Sequence, residues 1–125
     1  FEDELAGLPG DYAPPAGEIL LATLSNSEIV GCVAVRPMAQ IGACEMKRMY
    51  VAPAGRGQGV GRALVTEILR VSRERGYQRM VLDTLPRLAA ALKLYEEAGF
   101  QRIDAYYANP LPDVIYLQKD LLRSR

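Results

Sequence analysis

The sequence predicts an α/β protein in which helices flank a mixed central sheet. Three observations predict it: apolar runs of strand length at residues 19–24 and 29–35, an amphipathic helical pattern at residues 61–75, and a short apolar strand at residues 80–82. The helical pattern starts directly after a glycine-rich turn. Strand, glycine turn, helix and strand in that order form a βαβ crossover, so the strands on either side of the helix should lie parallel in one sheet.

The elements follow in chain order. Residues 1–6 suit the end of a helix stopped by Gly7 and Pro9, and residues 10–15 suit an irregular connection, because proline fixes φ and restricts the residue before it. Ser25, Asn26, Ser27 and Glu28 have turn composition and join the first two strands as a hairpin, with Gly31 a bulge or a point of close backbone approach. Pro37 ends the second strand. Residues 45–51 form the third, with Cys44, Met46, Arg48 and Tyr50 on one face and Glu45, Lys47, Met49 and Val51 on the other by the period of two. In the long helix Leu64, Val65, Ile68, Leu69, Val71 and Ser72 make the inner stripe, and Gly76 caps its end. A second helix spans residues 88–98, burying Leu88, Ala91, Leu92 and Tyr95, with Gly99 as its cap. Phe100 enters a strand with Ile103, Tyr106 and Tyr107, the prolines at 110 and 112 mark a loop, and residues 114–118 form a last strand that pairs antiparallel with it.

A chain of 125 residues is expected to be a single domain over residues 1–125. Its 15 basic and 15 acidic side chains cancel, which gives no general attraction to nucleic acid or to a membrane. No apolar run approaches the roughly 20 residues needed to span a bilayer. Cys32 and Cys44 lack the spacing of a zinc knuckle or a disulfide framework, so no metal site is expected and a reduced, cytoplasmic setting is the simpler reading. Histidine is absent, so acid-base work must fall to Glu, Asp, Tyr, Cys, Lys or water. The chain begins at Phe1 without methionine, which suggests a segment missing upstream.

Arg56-Gly57-Gln58-Gly59-Val60-Gly61 lies between a strand and a helix. A helix start presents unpaired N–H groups that attract phosphate, and glycines let them approach an anion closely. Arg56 and Arg62 add positive charge. The run lacks the Lys-Ser/Thr pair of a nucleotide P-loop and the dinucleotide GxGxxG spacing. On its own it is equally a flexible turn with a good helix start.

Together with Met49-Tyr50-Val51-Ala52-Pro53 upstream and Ala91-Leu92-Lys93-Leu94-Tyr95-Glu96-Glu97-Ala98-Gly99-Phe100 downstream, this run resembles the GNAT superfamily of N-acetyltransferases over residues 19–121. The resemblance implies a GNAT-like mixed central sheet whose N-terminal strand and helices are largely missing, one acetyltransferase-like domain that is N-terminally incomplete, and acetyl-coenzyme A as the donor. It implies that amides of Gln58, Gly59, Gly61 and Arg62, with Arg56 and Gly57, hold the pyrophosphate. Met49 and Val51 would pair with the pantetheine arm, Met49 would face the thioester carbonyl, and Tyr95 would be the general acid. Glu45 matches the position of a general base in some members; by residue pattern alone it is equally a strand glutamate paired with Lys47 or Arg48. Tyr106, Tyr107 and Asn109 fall where the family binds its acceptor, although the residues by themselves favour a rigid proline-rich hairpin with tyrosines over the sheet edge. An asparagine usual seven residues before the tyrosine is Leu88 here, where Asp83 or Thr84 could substitute. Cys44 has no activating partner in the sequence, which favours direct transfer to a small-molecule or peptide amine over a covalent enzyme intermediate. A coenzyme A-binding sensor and an interaction domain stay open beside the enzyme, as does a homodimer formed through an edge strand.

Overall fold

A computed structural model describes residues 12–14 and 16–122. The helix end expected at residues 1–6 and part of the connection at residues 10–15 lie outside the described residues. The elements run β1 (Glu18–Thr23), β2 (Ile29–Pro37), β3 (Ala43–Val51), a 3-10 turn (Pro53–Gly55), α1 (Val60–Glu74), β4 (Arg79–Thr84), α2 (Ala89–Glu97), β5 (Gln101–Ile103) and β6 (Ile115–Asp120). They build one six-stranded sheet in the order β1-β2-β3-β4-β6-β5. Among the described residues only β3 and β4, the strands joined through α1, are parallel; the other neighbours are antiparallel, as the short connections of β1 to β2 and β2 to β3 require for those pairs. The mixed sheet flanked by helices is the architecture expected from the sequence.

The core lies between α1 and one face of the sheet. Leu64, Val65, Ile68, Leu69, Val71 and Ser72 are the buried stripe of α1. Leu64, Val65, Ile68 and Leu69 meet Val33 and Val35 of β2, Cys44 and Met46 of β3, Met80 and Leu82 of β4, and Ile115 and Leu117 of β6. Ile68, Met80, Leu82 and Leu117 are wholly buried, each contributing about 1.5–3 kcal/mol by removal from water. Gly31 is a point of close approach: a Cβ there would stand 3.0 Å from both the Tyr50 carbonyl oxygen and a Val60 methyl. The β1–β2 register also shifts beside it, between Ala22 and Thr23.

Both helices close with the same device. Gly76, at φ 87°, follows α1; its N–H bonds the Arg73 carbonyl and the next amide, Tyr77, bonds that of Ser72. Gly99, at φ 100°, follows α2, with Gly99 N–H on Glu96 and Phe100 N–H on Tyr95. This paired arrangement satisfies the last carbonyls of each helix and needs a residue that tolerates the left-handed region.

Three expectations need correction. The alternation of β3 does not run unbroken: Arg48 adopts φ 60° and the register with β2 shifts between Cys32 and Ala34, so Met49 and Val51 pack against the same core as Cys44 and Met46 while Tyr50 is half exposed. The extra residue of a bulge reverses which face follows it. Leu88 is not buried but sits 42% exposed at the N-cap of α2, where Tyr95 is the buried residue and Ala91 and Leu92 are partly covered. Tyr106 and Tyr107 lie beyond the short β5, in the loop that leads to β6.

Candidate active site

The functional geometry begins where β3 and β4 part. Their pairing stops after Ala43–Arg79, Cys44–Met80 and Glu45–Val81, although both strands continue. Beyond Glu45 the edge of β3 facing β4 has no strand partner, and the bulge at Arg48 bends it away. The gap is a cleft of about 260 Å3. Met46, Met49, Leu82 and Tyr95 enter its wall from the core side, and Lys47, Asp83 and Asn109 are also part of that wall. Alternation on β4 places Val81 and Asp83 on the face opposite the buried Met80 and Leu82, so the cleft joins the two faces of the sheet.

Tyr95 is held rigidly in this wall. Its carbonyl accepts the bond that ends α2, and its ring meets Phe100 edge to face at 5.9 Å between centroids. Such a ring pair is worth about 0.5–1.5 kcal/mol beyond burial. The glycine and phenylalanine after α2 thus fix the tyrosine through the helix end. Among the described residues its hydroxyl has no hydrogen-bond partner. Burial first, and the Asp83 carboxylate second, push it up to about 12, so the hydroxyl keeps its proton through neutral and mildly alkaline pH.

The glycine turn stands at the start of α1. Gly57 and Gly59 take φ of 77° and 76°, and a Cβ at either would touch nothing within 4 Å, so the backbone conformation and not crowding calls for glycine. Gly59 is the N-cap, with no side-chain cap and no acid in the first turn; the first bond into the helix runs from Ala63 N–H to its carbonyl. The amides of Val60, Gly61 and Arg62 precede that bond and form an anion-attracting helix end. Gly61 has a different reason: a Cβ there would lie 2.8 Å from Leu94 of α2, so its small size lets the helices approach. Arg56 bonds the Val51 carbonyl at 3.4 Å and Gln58 that of Ala54 at 2.7 Å, tying the turn to the end of β3. Arg62 pairs with Glu97 at 3.1 Å on the surface, a contact worth at most about 1 kcal/mol and readily exchanged.

Glu45 is buried, at 2% exposure, and does not line the cleft. Its carboxylate pairs with Arg36 at 2.8 Å, lies 3.9 Å from Lys47, and accepts the Tyr106 hydroxyl at 2.6 Å. Burial, with the Glu45 charge behind it, drives the Tyr106 hydroxyl far above the ordinary tyrosine range. Tyr107 donates to Asp83 at 2.5 Å and receives a bond from Asn109 Nδ2 at 2.7 Å. Tyr106, Tyr107 and Tyr116 stack edge to face with centroids 5.3 to 5.7 Å apart, so the loop before β6 is clamped over β3 and β4. Cys44 is buried and its thiol is pushed up to about 12 by burial, which leaves it protonated and inert.

The model of the acetyltransferase (GNAT) family matches residues 2–100. The chain belongs to that family. By family it is an acyltransferase, and its sheet and helices have the GNAT arrangement. It is 45% identical over 120 residues to an uncharacterized N-acetyltransferase of Schizosaccharomyces pombe, a match covering 96% of this chain and 74% of that relative. Over other curated relatives the chain spans half of their length or less. A candidate acyl-CoA N-acyltransferase from Klebsiella pneumoniae superposes with a TM-score of 0.80 at 31% identity, covering 94% of this chain and 79% of that one. An N-acetyltransferase from Thermoplasma acidophilum, solved in complex with coenzyme A, shares the fold with a TM-score of 0.70 at 18% identity, covering 84% and 61%.

In this GNAT chain the structure brings Met49, Tyr95 and Asn109 to one cleft. The turn from Arg56 to Arg62 stands beside it, with Gly61 backed by Met49 and Val51. It does not bring Glu45, Tyr106 or Tyr107 into the wall, but sets them beside it, Glu45 buried and bonded to Tyr106, Tyr107 exposed and bonded to Asp83. The cleft residues Lys47 and Arg48 entered the sequence reading only as partners for Glu45, and Asp83 only as a substitute contact to the donor. Arg70, Arg73, Arg75 and Arg79 are structural ties: Arg70 pairs with Glu67 and Glu74, Arg73 bonds the Leu121 carbonyl, Arg75 meets Gly17 and Glu18, and Arg79 bonds Gln118. Among the described residues no helix is long and apolar enough to cross a membrane.

Proposed function

We propose that this chain transfers an acetyl group from acetyl-coenzyme A directly to the primary amine of a small molecule or peptide, as one acetyltransferase-like domain over residues 1–125. The observation that carries the reading is the parting of β3 and β4, with the hydroxyl of Tyr95, which has no hydrogen-bond partner among the described residues, at the gap and the glycine turn beside it. The residues present fit the donor. Left-handed Gly57 and Gly59 expose the first amides of a 15-residue helix that has no acid in its first turn, which suits a pyrophosphate. The unpaired edge of β3 suits an extended arm that adds to it as a strand would. The complex of the Thermoplasma acidophilum N-acetyltransferase with coenzyme A supports the same donor.

When bound, acetyl-coenzyme A would supply a thioester carbonyl carbon open to attack by the amine and a thiolate as leaving group. In this reading Arg56 and the amides of Gln58, Gly59, Gly61 and Arg62 hold the pyrophosphate, and the backbone of Met49 and Val51 fixes the arm. The Met49 N–H polarises the carbonyl, an effect on the order of 3 kcal/mol for a well-placed donor. Tyr95 gives its proton to the departing sulfur. The amine loses its proton to water at the mouth of the cleft, while Glu45, with both oxygens engaged by Arg36 and Tyr106, supports the wall and is the alternative base. Cys32 and Cys44, both buried thiols, suit a cytoplasmic setting.

Thiol release from acetyl-coenzyme A over a panel of amines tests this. Tyr95→Phe is expected to lower kcat by about a hundredfold or more with donor affinity kept. An unchanged kcat removes the acid role from Tyr95. Tight donor binding with no turnover on any amine makes the chain a coenzyme A-binding module instead.

A further inference from the structure

The cleft walls carry charges that the transfer reaction does not use. Asp83 lies on the face of β4 opposite the core and lines the cleft. Its carboxylate accepts the Tyr107 hydroxyl at 2.5 Å, and Tyr107 is itself held by Asn109. Both of these are neutral donors. Among the described residues no cation pairs with Asp83, so its charge is hydrogen-bonded but not neutralised. That charge reaches the gap, as its effect on the Tyr95 hydroxyl shows. The opposite wall presents a cation. Lys47 lines the same cleft, and the carboxylate near it, Glu45, lies 2.8 Å from Arg36 but 3.9 Å from Lys47. Glu45 is engaged more closely by Arg36 and Tyr106, and among the described residues the Lys47 ammonium makes no hydrogen bond, so it is the loosely held charge of the β3 wall.

An uncompensated anion and a loosely held cation facing one cleft of about 260 Å3 select a ligand with the complementary pair of charges. We propose that the acceptor is an amino-acid-like zwitterion, a primary amine with an anionic group close to its nitrogen, whose ammonium sits on Asp83 and whose anion sits on Lys47. This rests on the acetyl-transfer reading above and adds the substrate class to it. A polyamine would satisfy Asp83 but meet repulsion at Lys47. An amine with no second charge would leave the β3 wall unanswered. Tyr107 and Asn109 are positioning residues for Asp83, since they act on the ligand only through its carboxylate.

The test compares the twenty common L-amino acids with their carboxamides and with ethylamine, at saturating acetyl-coenzyme A. It reads thiol release and, independently of turnover, binding of the same compounds to coenzyme A-loaded protein by NMR shifts. The preferred amino acid should exceed its amide in kcat/KM by about tenfold or more, the scale of one charge-assisted contact. Asp83→Asn should raise KM by at least about tenfold for acid and amide alike. Lys47→Met should raise it for the acid only, abolishing the preference. Tyr107→Phe should raise KM less than Asp83→Asn while leaving kcat unchanged. Amides or ethylamine bound as well as amino acids, or KM values unmoved in both charge variants, would overturn the proposal, as would coenzyme A-loaded wild type that binds none of the compounds. Failure of the donor reading is told apart by calorimetry with acetyl-coenzyme A alone, and the substrate proposal would fall with it.

Discussion

At the scale of single residues, the proposed reaction gives Tyr95 its acid role through position and not through a special side chain. Its hydroxyl must be protonated to serve as an acid, and burial with Asp83 nearby favours that form, pushing it up to about 12. Between pH 7 and 10 the kcat profile should therefore show no loss attributable to Tyr95. An alkaline fall near 10 that disappears in Tyr95→Phe would contradict this. Folding is linked to the same shift. The folded state holds the proton more tightly than the unfolded chain, whose tyrosines ionise near the ordinary value of about 10. The stabilisation is full below that pH and is lost as pH rises toward 12. Tyr106 and Tyr107 shift in the same direction, and the buried Cys44 thiol does so from a lower ordinary value near 9, so urea midpoints should stay level up to about pH 8 and fall progressively above about 9. Tyr95 could be singled out in the sequence because it precedes a Gly-Phe pair, and the structure supplies the reason in the helix closure that Gly99 and Phe100 make. Asp83 could not be read in the same way. Its role depends on Tyr107, 24 residues away, just as that of Glu45 depends on Tyr106, 61 residues away, and no local pattern records such pairings.

At the scale of elements, the site is a consequence of β3 changing course. Arg48 in the left-handed region shifts the register with β2, and pairing with β4 ends three residues earlier, at Glu45. The strain of that conformation is on the order of 1–2 kcal/mol for a non-glycine residue and greater for a β-branched one. Arg48→Gly should keep the midpoint of urea unfolding or raise it, whereas Arg48→Val should lower stability by about 1–2 kcal/mol relative to the glycine variant. Equal midpoints for the two would mean that the bulge is not held as described. The ends of α1 and α2 were legible because Gly76 and Gly99 advertise them. The bulge was not, because an arginine gives no sign of positive φ, and the regular alternation assigned to residues 45–51 therefore placed Met49 and Val51 on the wrong face. Gly61 was legible as part of a glycine run but not for its own reason, the contact with Leu94 on a helix that follows 30 residues later.

For the whole molecule, one parallel pair in an otherwise antiparallel sheet places a helix start, a parted strand edge and a tyrosine around the same gap. The order of strands, the crossover and the two helices could be read from spacing and turn chemistry, and so could the acetyltransferase resemblance. The charges that line the cleft could not, since a net charge of zero over the chain says nothing of where Asp83 and Lys47 come to lie. The central claim is that the turn at Gly57 and Gly59 binds the donor's pyrophosphate. Gly59→Asp isolates it: aspartate tolerates the left-handed region better than most residues, meets nothing within 4 Å, and suits a helix N-terminus, yet it places a negative charge where the anion would sit. The deciding measurement is a calorimetric titration of acetyl-coenzyme A into the wild type and this variant, with thermal unfolding of both. The expected result is saturable binding to the wild type, weakened by about tenfold or more in a Gly59→Asp protein that still unfolds cooperatively. No binding to the wild type, or equal affinity in the two proteins, would contradict it.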